Sequence, residues 1–177
     1  PGLALKSETI SLALSAELPL VVVNVQRGGP STGLPTKPEQ SDLLFALYGR
    51  HGESPLPVVA AKSPSHAFYA AYEAARIALK YMTPVIILSD NYVATGSEPW
   101  QLPDTEALNK LDTNIITKLN TEDGFLPFLR NIDTFARPWA LPGTPGLEYR
   151  VGGLEKEEGT GNVSYDSDNH QYMTDMR

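Results

Sequence analysis

Residues 18–36, LPLVVVNVQRGGPSTGLPT, join a short β-branched apolar run directly to a polar, cationic, glycine-rich segment. The run, residues 20–25, fits a strand buried on both faces of a parallel sheet better than an amphipathic helix. A Gly-rich loop leaving the carboxyl end of such a strand lies where open α/β sheets bind ligands. Gly28, Gly29 and Gly33 let the backbone turn and approach a ligand closely. Arg27 adds a planar cationic fork suited to a carboxylate or phosphate.

The rest of the first half alternates. Residues 2–17 read as a helix with Leu3, Ile10 and Leu14 near one face and Leu12 and Ala13 beside it. Residues 39–48 read as a short helix with Leu43, Leu44 and Leu47 as its buried stripe and Gly49 as its stop. Residues 58–61 are the next strand. Ser63 as N-cap and Pro64 in the first turn open a helix to about Met82, with Ala67, Phe68, Ala71, Ala74, Ala75, Ala78 and Leu79 at helical spacing. Residues 85–88 are a third strand, ending in a polar loop at 89–96. Helix, strand, helix, strand, helix, strand predicts an α/β fold: a mostly parallel sheet with helices on both faces. The abrupt helical start suggests a strand upstream of it.

After Glu98, prolines at 99, 103, 127, 138, 142 and 145 break the periodicity. Residues 108–119 are expected to hold a little helix or an edge strand. Residues 143–161 read as a glycine- and glutamate-rich arm lying over a further domain or a partner. The division expected is 1–98 as a partial α/β domain and 99–177 as the arm, leading toward a C-terminal domain.

With 177 residues, the chain has room for one such domain and a trailing arm. A net charge of −7 argues against nucleic acid as the main partner. The chain has no cysteine, which excludes a disulfide scaffold and any iron–sulfur cluster ligated by its own thiolates. No apolar run is long enough for a bilayer, and no signal peptide is legible, so a cytoplasmic location is expected.

Familiar phosphate motifs fail in the loop. A P-loop needs Lys-Ser or Lys-Thr after its last glycine, whereas Leu34 follows Gly33 and Lys37 comes too late. The adjacent Gly28 and Gly29 do not make G-x-G-x-x-G. On residue type alone, a Gly/Pro turn carrying a solvated arginine remains open.

The stretch QRGGPSTGLPTKPEQSDLLFALYGRHGE, residues 26–53, resembles the corresponding loop of 2-oxoacid:ferredoxin oxidoreductase alpha subunits, most closely the 2-oxoglutarate type. The opening PGLALKSETISLALSAELPLVVV, the segment SDNYVATGSEPWQLP and the tail GLEKEEGTGNVSYDSDNHQYMTDMR are also similar. The resemblance is ungapped over nearly the whole chain.

It implies the pyrimidine-binding domain of a thiamine diphosphate enzyme. Such an enzyme decarboxylates a 2-oxoacid, forms an acyl-CoA and passes electrons through iron–sulfur clusters to ferredoxin. By resemblance, Arg27 and Thr36 hold the substrate carboxylate, and Gly28, Gly29, Pro30, Ser31, Thr32 and Gly33 shape the loop around it. No catalytic residue and no metal ligand is expected within these residues. The glutamate that activates thiamine lies upstream of Pro1 in the family. Mg2+, the diphosphate and the 4Fe–4S clusters are expected on partner subunits or domains, the diphosphate on a beta subunit, and the 177 residues alone are expected to be inactive. Two departures are visible: Asn24 stands where aspartate is expected, and Asn91 where glycine is.

The other polar candidates have plainer readings. His51 sits in a polar turn, His66 in a first helical turn and His170 in the tail, without metal spacing. Asp90, Glu98, Asp104 and Glu106 read as a solvated acidic loop, and 155–168 as a solvated or partner-docked tail. Glu8 and Glu17 are given no role, and the Glu122-Asp123-Gly124 run is read as coincidence. Two competing functions are a non-catalytic binding or regulatory module of the same fold and an unrelated acyl or phosphoryl transferase using the loop as an anion cradle.

Overall fold

The alternation becomes a parallel sheet in the computed structural model, which describes residues 2–177. A 3-10 turn at Ala4–Lys6 leads into α1 (Ser7–Ser15), β1 (Leu20–Gln26), α2 (Leu43–Tyr48), β2 (Val58–Ala60), α3 (His66–Tyr81), β3 (Pro84–Asp90) and α4 (Asn91–Thr95). A 3-10 turn at Thr105–Ala107, β4 (Ile115–Ile116), β5 (Trp139–Ala140) and α5 (Ser167–Met176) follow. The main sheet has the order β1-β3-β2, with both pairings parallel.

β3 is the central strand and is buried along its whole length. On one face, Ile86 and Leu88 pack with Leu3, Ile10 and Ala46, so α1 and α2 cover that side. On the other, Val85 and Ile87 meet Ala70, Ala74 and Ala78 of α3. The four-residue alanine spacing brings the helix backbone close to the sheet. Full burial of a side chain such as Ile86 stabilises the fold by about 1.5–3 kcal/mol.

β1 departs from expectation. Val23 and Val25 remain 57% and 45% exposed, so this strand is not buried on both faces. It is an edge strand, and α3 covers Val21 but not the two valines beyond it. α2 departs too. It begins at Leu43 rather than Glu39 and turns Phe45 and Ala46 inward, leaving Leu43 and Leu44 exposed. Hydrogen bonds of residues 40 and 42 to the sheet end hold the preceding segment out of helical geometry. Gly49 does stop the helix: its N–H donates to the Phe45 carbonyl, and a Cβ there would strike the Phe45 ring.

α3 starts at His66, with Ser63 Oγ accepting the His66 N–H at 3.3 Å, and ends at Met82 in left-handed geometry. Ala71 is exposed and Ala70 takes its place in the stripe. The expected polar loop 89–96 is instead the end of β3 followed by α4.

The arm folds back onto α1 of its own chain. Arg130 pairs with Glu17, Arg137 donates to the Ala16 carbonyl at 3.2 Å, and Ser15 donates to the Gly153 carbonyl at 3.3 Å. The 155–168 tail is not simply solvated: Lys156 is buried and bridges Val163, Phe128 bridges Gly159, and α5 follows. Arg137, fully buried, lies between the rings of Phe128 and Tyr149 at 5.1 and 5.4 Å. Of the little helix or edge strand expected within 108–119, the strand forms: β4, paired in parallel with β5.

Candidate functional site

Parallel strands in one sheet deliver their carboxyl ends to one edge. Here Gln26 stands opposite Asp90, and Ala60 opposite Leu88. A cavity of about 380 Å³ opens at this edge, lined by Gln26, Gln40, Leu43, Lys62, Asp90 and Val93 among others. A larger cavity of about 510 Å³ lies at the opposite edge, between the strand entries and the arm. The carboxyl edge is the better candidate, because the Gly-rich loop leaves from it.

The polar groups on this edge hold one another. Gln26 is buried; its amide donates to the Ser89 carbonyl at 3.1 Å and its oxygen accepts the Asp42 N–H at 2.9 Å. Gln40 donates to Asp90 at 2.5 Å, and Asp90 accepts the Val93 N–H at 2.9 Å as the N-cap of α4. The Val93 N–H and the Gln40 amide together hold the Asp90 carboxyl below its usual range. Asp90 is therefore a buried structural carboxylate rather than part of a solvated acidic loop. Glu98 and Asp104 accept N–H groups of Ser65 and Glu106 but remain exposed, as expected of a solvated acidic loop.

Residues 27–36 form a closed loop. The Gly28 N–H donates to the Lys37 carbonyl at 2.8 Å, so Arg27 and Thr36 flank the neck from its two limbs. Inside it, the Leu34 N–H donates to the Gly28 carbonyl at 2.6 Å and Arg27 Nε to the Thr32 carbonyl at 2.5 Å. The Gly29 N–H donates to Glu39 Oε2 at 3.0 Å, and the Gly29–Pro30 peptide is cis. Gly33 has φ +83, and a Cβ there would stand 2.7 Å from Arg27 Cγ.

Arg27 and Thr36 are exposed on the loop rather than in the cavity, and Gln26, which lines the cavity, directly precedes Arg27. The terminal guanidinium nitrogens of Arg27 have no hydrogen-bond partner among the described residues. Thr36 has φ +61 and Ser31 +64. A β-branched residue in the left-handed region is an outlier costing on the order of 1–3 kcal/mol, and such strain concentrates at functional sites.

Both departures from the family pattern have physical settings. Asn24 donates to Asp42 Oδ2 at 2.9 Å, a place where an aspartate would put two carboxylates together. Asn91 opens α4 and is not among the residues of positive φ, so the backbone there does not require glycine. His51 is exposed in its turn, His66 accepts from the Lys62 N–H at 3.4 Å, and His170 meets Glu155 at 2.5 Å. Among the described residues, no three acidic or histidine side chains gather to hold a metal, and no helix is long and apolar enough to cross a membrane.

Sequence reasoning missed Gln26 and Gln40, and read Asp90 only as part of a solvated acidic loop. An aspartate directly before Asn-Tyr-Val-Ala-Thr is an N-cap signal that could have found Asp90. The two glutamines carry no such signal.

A family model described as pyruvate flavodoxin/ferredoxin oxidoreductase, thiamine diphosphate-binding, matches residues 1–164. The chain belongs to this family. It is 54% identical over 177 residues to the 2-oxoglutarate oxidoreductase subunit KorA of Mycobacterium tuberculosis, covering 100% of this chain and 27% of that protein. It is 42% identical over 119 residues to the 2-oxoglutarate synthase subunit KorA of Archaeoglobus fulgidus, covering 66% of this chain and 34% of that protein. Its fold superposes with a TM-score of 0.87, at 36% identity, on a 2-oxoglutarate:ferredoxin oxidoreductase from Magnetococcus marinus with 2-oxoglutarate, coenzyme A and succinyl-CoA bound. That match covers 99% of this chain and 30% of the solved chain. This member of the oxidoreductase family thus spans about a third of the length of each of these three proteins.

Proposed function

We propose that this chain is part of the alpha subunit of a thiamine diphosphate-dependent oxidoreductase that converts 2-oxoglutarate and CoA to succinyl-CoA and carbon dioxide. The electrons released pass to ferredoxin. The observation that carries this reading is the whole-chain similarity to a 2-oxoglutarate oxidoreductase subunit. In it, residues 1–98 are part of the pyrimidine-binding domain and residues 99–177 the arm leading onward, in a cytoplasmic enzyme.

The chemistry assigned to this chain is substrate binding. Arg27 offers two parallel N–H groups to the 2-oxoacid carboxylate, and the Thr36 hydroxyl adds a third donor from across the neck. A carboxylate held in a fixed plane is oriented for loss as carbon dioxide, which is positioning rather than acid–base work. Gly28, Gly29, Pro30, Ser31, Thr32 and Gly33 keep the loop's backbone close to the ligand.

Thiamine diphosphate supplies the electron sink for decarboxylation. The walls of the carboxyl-edge cavity suit its flat ring: Leu43, Ala60, Leu88 and Val93 line it, Gln26, Gln40 and Asp90 are engaged in hydrogen bonds of the chain's own, and Lys62 is, among the described residues, the one cation in the lining that could meet a phosphate. Mg2+ and 4Fe–4S clusters are then held by partner subunits or domains, with the diphosphate on a beta subunit.

Reconstitution of the complete enzyme tests this. CoA-dependent reduction of ferredoxin or viologen is expected with 2-oxoglutarate as the preferred 2-oxoacid, and none from residues 1–177 alone. Absence of 2-oxoacid-dependent reduction by the complete enzyme, or turnover by the isolated chain, would overturn it.

A further inference from the structure

We propose that Glu39 is an internal stand-in for the substrate carboxylate and sets how tightly the loop takes a 2-oxoacid; this rests on the loop being the substrate site. The loop presents two kinds of anion donor: a backbone N–H at Gly29 and the fork of Arg27. The first is already occupied by a carboxylate of the chain itself, Glu39 Oε2, at 3.0 Å. That oxygen lies 3.3 Å from where a Cβ on Gly28 would stand, so the absence of a side chain at 28 leaves room for the carboxylate.

Glu39 is delivered there by its neighbours. Gln40 is tied to Asp90 and the Asp42 N–H to Gln26, which fixes the limb carrying Glu39 against the sheet end. The other Glu39 oxygen has no hydrogen bond among the described residues, and the terminal nitrogens of Arg27 have none. The free loop therefore holds one negative charge on the Gly29 amide, two positions along the chain from a guanidinium whose terminal nitrogens are free. A ligand carboxylate arriving at Arg27 brings a second negative charge to the same loop. It must displace Glu39 from Gly29 or bind against its repulsion. In both cases Glu39 opposes binding, and part of the binding energy goes into that displacement rather than into a lower KM.

The test is steady-state kinetics of the complete enzyme carrying Glu39→Gln, Glu39→Ala or Arg27→Lys, at saturating thiamine diphosphate, CoA and electron acceptor. Glutamine keeps a weaker, neutral acceptor at the same place, whereas alanine removes it. Losing one modest hydrogen-bonded competitor corresponds to about a two- to tenfold fall in KM for 2-oxoglutarate, larger for alanine than for glutamine. Unchanged KM in both variants overturns the proposal. So does a raised KM in Glu39→Ala with Glu39→Gln like the wild type, because then Glu39 only braces the loop. The Arg27→Lys arm separates the levels. If it impairs substrate use while the Glu39 variants do not lower KM, the stand-in alone falls. If Arg27→Lys changes nothing, the loop is not the substrate site and both readings fall.

Discussion

Arg130 meets Glu17 through two N–H···O bonds of 2.8 and 2.5 Å, across 113 positions of sequence. Both side chains are almost fully buried, at 5% and 6% exposure. The pair clamps the arm onto the end of α1, and Arg130 also donates to the Phe135 carbonyl at 2.9 Å. Breaking such a pair from one side strands a buried charge, at a cost of about 3–5 kcal/mol. Glu17→Met and Arg130→Met should each destabilise the chain by about that amount in urea unfolding. The double variant should lose much less than the sum, since no charge is left unpaired. Strictly additive losses would show that the two residues act independently.

A second clamp is pH-sensitive. Burial pushes the Glu155 carboxyl up, but hydrogen bonds from Arg177, the Lys156 N–H and His170 outweigh it and hold the group at about 2, against 4.5 when free. A lowered folded value means that stability is fully present above about 4.5 and lost as pH falls toward about 2. The difference in unfolding free energy between wild type and Glu155→Gln should therefore be constant above pH 4.5 and shrink below it. A difference that does not shrink on acidification would contradict the assignment. Because His170 lies in the first half of α5 and Arg177 follows its last residue, loss of helical signal should accompany the same window.

Loop strain gives opposite outcomes at neighbouring positions. Thr36 is held at φ +61, and glycine there should relieve about 1–2 kcal/mol of backbone strain, offset in part by its greater unfolded entropy. Thr36→Gly is expected to leave stability equal or slightly raised while raising KM in the complete enzyme, through loss of the hydroxyl. Gly33→Ala should do the reverse to the loop: its Cβ would press on the Gly28 carbonyl and Arg27 Cγ. Far-UV circular dichroism should stay native for Gly33→Ala while KM rises. A KM unmoved by either change would separate the loop from substrate binding.

What was legible in the sequence was the alternation. Ile86 and Leu88 on one face, with Val85 and Ile87 on the other, made β3 readable as a buried strand, and the alanines at 74 and 78 made α3 readable as its cover. The same reasoning failed at β1, because Val23 and Val25 have the composition of a core strand while occupying an edge. Composition reports what a strand could bury, not how many neighbours it has. It failed again at Leu43 and Leu44, where tethers from Gln40 and Asp42 set the rotation of α2 instead of its own periodicity. The loop 27–36 was legible through its glycines, arginine and family pattern. Glu39 was not, since its contact with Gly29 depends on a chain reversal that no local spacing encodes. The clamps at Glu17–Arg130 and Glu155–Arg177 are long-range for the same reason.

The most direct measurement is kcat/KM for 2-oxoglutarate in the complete enzyme carrying Arg27→Lys, at saturating thiamine diphosphate. Lysine keeps the charge but loses the bidentate fork, so it meets one carboxylate oxygen well and the other poorly. A hydrogen bond to a charged group contributes roughly 1.5–3 kcal/mol, so kcat/KM should fall on the order of ten- to a hundredfold. Thiamine diphosphate affinity should change far less. An unchanged kcat/KM would mean that Arg27 is a solvated turn residue and that the substrate carboxylate binds elsewhere.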